Sequence, residues 1–464
     1  MKSRIHSLAA AAACLFASVA QKAHDALFNH LTRTGLVLGV NAFSKEERVA
    51  FETMLEGFED GCELSNEVEI YRTNAQEMER SSQTIWVPQP YIATSYDGLD
   101  QTSNFNGLTQ LSVPLSIGYS KAVPWTMTAS ELNDALQNDR LGEAAQQKIA
   151  SDINVACSNV ACLQGSLFVK RTAAPVGYDD VAECDSIMNE QGVQTFKRGL
   201  VLHTRRYNAM AGNLANRGTM PGKVERAYMT NFVGDVAGFN TWKAGYTYRL
   251  TAALGVTVTI NEATAGNRRW IPKATSAATT GETSNVDNRF MTMTFAVTSG
   301  TAKVGDAFTI AGVNAVHHIT KADTGQLKTF RITGIVSGAG GSGVWQFTPP
   351  IIAADSAPTA AELQYKNVTA TPANGAAIVF LNTVADNLSP FWTKDALKLL
   401  PGRYSPVENA GLAVMRATTK QGLELIMTKQ GSINDLSAKY RVDCRFGVTA
   451  ANTEMMGVMA FSQT

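Results

Sequence analysis

From Phe43 to Gly61 apolar side chains return at helical spacing: Val49, Met54, Leu55 and Phe58 form a stripe, and Gly61 suits the C-terminal end of a helix. Ile85 to Val87 then reads as a short strand, which Pro88 and Pro90 keep from continuing as a central one. After a polar stretch from Tyr91 to Gly107, Leu111, Val113, Leu115 and Ile117 alternate with other residues, the pattern of a half-buried strand, and Pro114 assigns it to an edge or a lone ribbon. Together these segments predict an extended hairpin arm with little core of its own. Thr128-Ala-Ser-Glu131 has the capping-box spacing, and apolar positions from Leu132 to Leu163 follow at three-to-five-residue steps until Gly165. The spacing predicts one helix of about 50 Å. Further helices are expected over Tyr178 to Gly192 and Arg198 to Asn216.

Between about Thr251 and Thr383 the period changes to two. The runs LGVTVTI, FMTMTFAV, TFRITGIV, VWQF and AIVF are separated by Gly, Thr, Ala and Ser turns, which predicts a small barrel or sandwich inserted into a helix-bearing host. Helical and mixed patterns are expected to resume from Phe391 to Leu400.

The chain has 464 residues, 45% apolar and 17% charged, with 40 basic and 40 acidic side chains. This suits a globular protein of several domains, and the balance of charge gives no electrostatic case for tight binding to nucleic acid or membrane. Net charge near zero favours self-association. The six cysteines form no CxxC pair, so free, mostly buried thiols are expected. Lys2 to Ala20 has a basic start, an apolar run and a small-residue end resembling a signal peptide, but Ala23, Leu27 and Leu31 extend it at helical spacing, as a helix packing on a partner would.

Several chemical motifs are present in letter only. Gly338 to Gly343 satisfies GxGxxG, but a strand follows where a dinucleotide site needs a helix, so a hairpin turn is expected. No GxxxxGK[ST] and no GxSxG occurs. His317 and His318 are adjacent on a strand and point to opposite faces, which fits a structural role better than a shared metal. His203 with Arg205 and Arg206 reads as a charged helix face.

The segments ERSSQTIWVP (Glu79 to Pro88), VAGF (Val236 to Phe239), NVDNRF (Asn285 to Phe290), GDAFTIAGV (Gly305 to Val313), FWTKDALKLL (Phe391 to Leu400), TKQGSINDLS (Thr428 to Ser437) and FGVTAANTEMMGV (Phe446 to Val458) resemble, in order and spacing, the major capsid proteins of short-tailed phages of the P-twenty-two type. The resemblance implies an α+β fold, the tailed-phage capsid fold named after the Hong Kong phage, with an inserted all-β barrel, the I-domain. It implies an N-terminal extension (1–42), an N-arm helix (43–78), an E-loop hairpin (79–121), a P-domain spine helix (122–172), a first A-domain part (173–250), the I-domain (251–383), and a return through the A- and P-domains (384–464).

The resemblance further implies a non-enzymatic shell protein without cofactors, assembled in the host cytoplasm into hexamers and pentamers. Its implied partners are a scaffolding protein, a portal protein at one vertex, encapsidated double-stranded DNA held by weak non-specific contact and a decoration protein; none is a membrane. On the arm helix, Glu52 and Glu56 match acidic positions that receive the scaffold's basic tail. Leu111, Val113, Leu115 and Ile117 are expected to be covered by neighbouring copies. Gly266 to Asn285 matches a loop that reaches neighbours by ion pairs, with Arg268, Arg269 and Glu282 as candidates, although the stretch is poor in acids. The first forty or so residues are expected to clasp a neighbouring subunit. A secreted or surface β-rich adhesin, prompted by the signal-like start, and a β-domain hydrolase are the competing readings.

Overall fold

The computed structural model describes residues 43–464 except 44, 72–83, scattered positions between 91 and 134, 194, 196, 217–220, 254, 356, 405–411 and 433. The N-terminal segment lies outside the described residues. The arm helix, Lys45–Gly61, buries Phe51, Met54 and Phe58. Val49, expected in that stripe, is exposed instead. At 100° per residue it lies about 200° around the helix from Phe51, on the solvent side.

The spine helix runs Ala135–Gln164, 30 residues or about 45 Å. Residues 132–134, just before it, lie outside the described residues. The strand Tyr119–Met127 runs up to the proposed cap, and the Glu131 carboxylate accepts from the Thr128 backbone N–H (2.8 Å) and Oγ1 (2.9 Å), closing a local turn before the helix. Its end falls where Gly165 predicts it. The arm helix lies along the spine, and both cover one face of a mixed sheet. That sheet orders Glu69–Ile70, Leu397–Pro401, Ser437–Ala450, Glu424–Ser432 and Ala413–Thr418, and Tyr119–Met127 also pairs with Ser437–Ala450. Phe51, Met54 and Phe58 meet Ile149, Ile153 and Cys157 of the spine and Tyr440, Val442, Cys444 and Phe446 of the sheet.

A second sheet orders Leu167–Lys170, Met456–Ala460, Ser389–Thr393, Arg198–His203, Phe239–Ala244 and Asp235–Val236. Two expectations change here. Arg198 to Asn216 is a buried strand, Arg198–His203, followed by a helix, Thr204–Ala215. The apolar run Gly199 to Leu202 is too continuously buried for one helix face and fits a central strand. Phe391 to Leu400 is likewise two strands joined by the single turn Lys394–Ala396, not a helix.

The inserted unit leaves and returns through a two-residue stem, Arg249–Leu250 against Asp386–Asn387. Within it, Thr257–Ile260, Met291–Ser299, Gly343–Thr348, Asp323–Ile335, Ala307–Val316 and Ala377–Phe380 close an antiparallel barrel in that order. The strand runs read from the sequence fall on these strands. Phe295, Phe308, Phe330, Trp345 and Phe347 fill the interior; Phe295 stacks on Trp345 with centroids 4.6 Å apart. Gly338–Gly340 is a single tight turn leading into Gly343–Thr348, with Gly338 and Gly340 both at positive φ. The hairpin expected there is what the glycines serve.

Candidate assembly surfaces

The solvent side of the arm helix presents Glu52, Glu56 and Asp60 four residues apart, all exposed. Like charges at this spacing cost an isolated helix about 0.2–0.5 kcal/mol per pair. The inward carboxylates behave differently. Glu47 is buried and accepts from Lys429 Nζ (2.7 Å) and the Tyr440 hydroxyl (2.7 Å). Glu59 accepts from the Lys420 backbone N–H (2.7 Å), and this bond, helped by the Lys420 side chain and opposed by burial, holds its pKa below the usual carboxylate value. The exposed stripe is therefore the part of this helix not engaged by its own fold.

The hairpin arm pairs Thr84–Pro88 with Ser112–Ser116 in one antiparallel register. Its apolar face is covered largely within the chain. Leu115 is 0% exposed against Leu400, with Ile85, Val87, Ile117 and Tyr71 around it. Leu111 packs on Ile352 and Tyr365 of the inserted unit, and Val113 is also buried. Ile117 is half-buried. The close approach depends on Gly447, where a Cβ would overlap the Ser116 carbonyl. Polar contacts fasten the same arm: Tyr365 Oη donates to the Thr109 carbonyl (2.7 Å), and Thr109 N–H donates to Gln364 Oε1 (3.1 Å). The exposed apolar groups lie beyond it, at Leu99, Phe105 and Leu108 of the connecting loop. Leu99, Phe105 and Leu108 stand among mostly polar neighbours in the sequence.

On the inserted unit, Arg268 Nη1 donates to the Pro372 carbonyl (3.1 Å), and Arg269 stands 3.5 Å from Asp355 and 3.4 Å from Glu362. Both arginines have partners on the barrel's own loops. Glu282 is exposed near the tip of a small hairpin, Thr275–Ala277 against Thr283–Asn285, whose six paired residues are exposed on both faces. A ribbon bare on two faces has little stability alone.

The remaining candidate groups have structural partners. His317 Nδ1 accepts from the backbone N–H of Ile319 (3.2 Å) and Thr320 (3.1 Å), while His318 is half-buried 3.4 Å from Glu454. Arg206 pairs with Asp386 and lies over the Phe461 ring, and His203 precedes the helix that carries it. Cys62, Cys157, Cys162, Cys184 and Cys444 are free and buried. Burial pushes the Cys62 and Cys157 thiols up to about 12, far from a reactive thiolate. Cys157 faces the core under the arm helix and Cys162 a separate cluster. Among the described residues no three His, Cys, Asp or Glu side chains could hold a metal ion, and no helix is long and apolar enough to cross a membrane.

Solved structures with a similar trace include the CUS-3 coat protein I-domain, 38% identical over 27% of this chain and 95% of that one (TM-score 0.20). The capsid of Cyanophage P-SCSP1u is 11% identical over 86% of each chain (TM-score 0.40). A chain of Mycobacterium phage Che8 is 8% identical over 83% of this chain and 88% of that one (TM-score 0.39). The family model described as P22 coat protein, gene protein 5, matches residues 40–462. The chain belongs to the P22 coat protein family.

Proposed function

We propose that this major capsid protein builds its phage shell as hexamers and pentamers around a scaffolding protein, in the host cytoplasm and without catalytic activity of its own. The observation that carries the reading is the family match over residues 40–462. The fold adds to it: a stiff spine, two exposed projections and one acidic helix face are what a subunit needs to meet several neighbours at once. A portal protein occupies one vertex, and double-stranded DNA fills the interior through weak contacts. The segments run as 1–42 extension, 43–78 arm, 79–121 E-loop, 122–172 spine, 173–250 and 384–464 A- and P-domains, and 251–383 I-domain. The extension clasps a neighbouring subunit.

Glu52 and Glu56 receive the basic segment of the scaffold. Exposed charge pairing of this kind is screened by salt, which suits a partner that leaves after assembly. The double variant Glu52→Lys/Glu56→Lys, made in the full chain, is expected to fold normally and to lose scaffold co-assembly, measured by sedimentation of the mixed proteins. Wild-type incorporation of scaffold into shells of that variant refutes the assignment.

A further inference from the structure

The two-residue stem at Arg249–Leu250 and Asp386–Asn387 is too slight to fix the angle of a six-stranded barrel. A dense set of polar contacts does so at another place. On the strand Asp323–Ile335, alternation sends Phe330 and Ile332 into the barrel and turns Thr329 and Arg331 outward onto the host. Arg331, 0% exposed, donates through Nη2 to the Cys162 carbonyl (2.6 Å) in the last turn of the spine helix. A cation at a helix C-terminus satisfies an orphan carbonyl and matches the helix dipole. Thr329 Oγ1 donates to the Ser166 carbonyl just past that end (2.7 Å).

The host turn 450–455 is gripped from the barrel side as well. Glu454 lies 2.7 Å from Lys328 Nζ and 3.4 Å from His318 Nε2, and it accepts from Asn367 Nδ2 (3.1 Å). Lys328 also donates to Gln191 Oε1 (3.0 Å). Arg289 Nη1 donates to the Ala450 carbonyl (2.7 Å), and Thr348 Oγ1 to Thr453 Oγ1 (2.8 Å). Ser166 N–H donates to the Thr453 carbonyl (3.0 Å), joining the spine's end to the same turn. One network thus spans spine, turn and barrel.

We propose that Lys328, Arg331 and Glu454 are positioning residues that clamp the inserted barrel to the C-terminal end of the spine helix, so that barrel and spine turn as one rigid body in the shell. A closed barrel with its own aromatic core has no need of these charges for its own folding. The buried Lys328 ammonium is tolerated there because the half-buried Glu454 carboxylate faces it, so loss of either partner opens the joint.

Hydrogen exchange on the full chain tests this with four variants. Lys328→Met and Glu454→Gln are each expected to speed exchange about tenfold or more at Ser166 and His318, the junction amides. Amides inside the barrel, such as Ile310, keep their protection. The double variant returns the junction close to wild type, since neither charge is left unpaired, and Lys328→Arg does so by keeping the charge. Three results overturn the proposal: single variants whose junction amides stay as protected as in the wild type, single variants that expose the barrel interior equally, or a double variant whose losses simply add.

Discussion

Leu115 decides where the hairpin arm gets its cover. It is 0% exposed in one copy of the chain, so Leu115→Ala is expected to destabilise the unassembled protein by about 2–5 kcal/mol, seen as a lower urea midpoint. An unchanged midpoint would move its cover to another copy. Glu454 makes a second prediction at this scale. Burial alone would raise its pKa, but the Lys328 and His318 charges, with hydrogen bonds from Lys328 and Asn367, hold it at about 2 against an ordinary 4.5. A depressed carboxylate stabilises the fold at every pH above 4.5, and that stability drains away as pH falls from 4.5 through 2. Burial holds His318 below its ordinary 6.5, mainly against the pull of Glu454, so its share of the loss starts as pH falls through 6.5. Between pH 4.5 and 2 the wild-type chain is expected to lose denaturant resistance more steeply than Glu454→Gln; parallel curves would deny the carboxylate this role. None of these pairings was legible in the sequence, because Lys328 and Glu454 lie far apart along the chain.

At the scale of elements, periodicity read well wherever one face alone is buried. The arm helix and the barrel strands Thr257–Ile260, Met291–Ser299 and Ala377–Phe380 have such faces, and their runs are visible as stripes and alternations. It failed where both faces are buried. Gly199 to Leu202 lies in a central strand whose continuous apolar run carries no period, and Phe391 to Leu400 breaks at the turn Lys394–Ala396 into two short strands, so neither stretch has a helical stripe to read. Thr128 and Glu131 carry a capping signature, and the Glu131 carboxylate accepts from the Thr128 backbone N–H as that signature implies. The loop of the hairpin arm makes its own prediction. Leu99 and Phe105 are exposed at 106% and 88%, so Leu99→Ser with Phe105→Ser should leave the melting temperature of the unassembled chain unchanged while lowering the yield of assembled particles in light scattering. A fall in melting temperature together with a normal yield would show that these side chains serve the subunit's own fold.

For the whole molecule, the insertion of a closed β unit into an α+β host was visible from the change of period alone, and the ordered short segments that resemble capsid proteins carried the function. Which surfaces face other copies was not visible, because a stripe of apolar residues reads the same whether its cover lies in the same chain or in the next. The chain's own fold covers the ribbon and leaves the loop tip, the acidic arm face and the small barrel hairpin exposed. Cryo-electron microscopy of the full-length chain expressed with its scaffolding protein tests the account most directly. Closed icosahedral shells, with the spine and its sheet forming the floor and the barrel held at one angle to it, are the expected result. A preparation in which the folded chain stays monomeric, or gathers only into particles without icosahedral order, would contradict it.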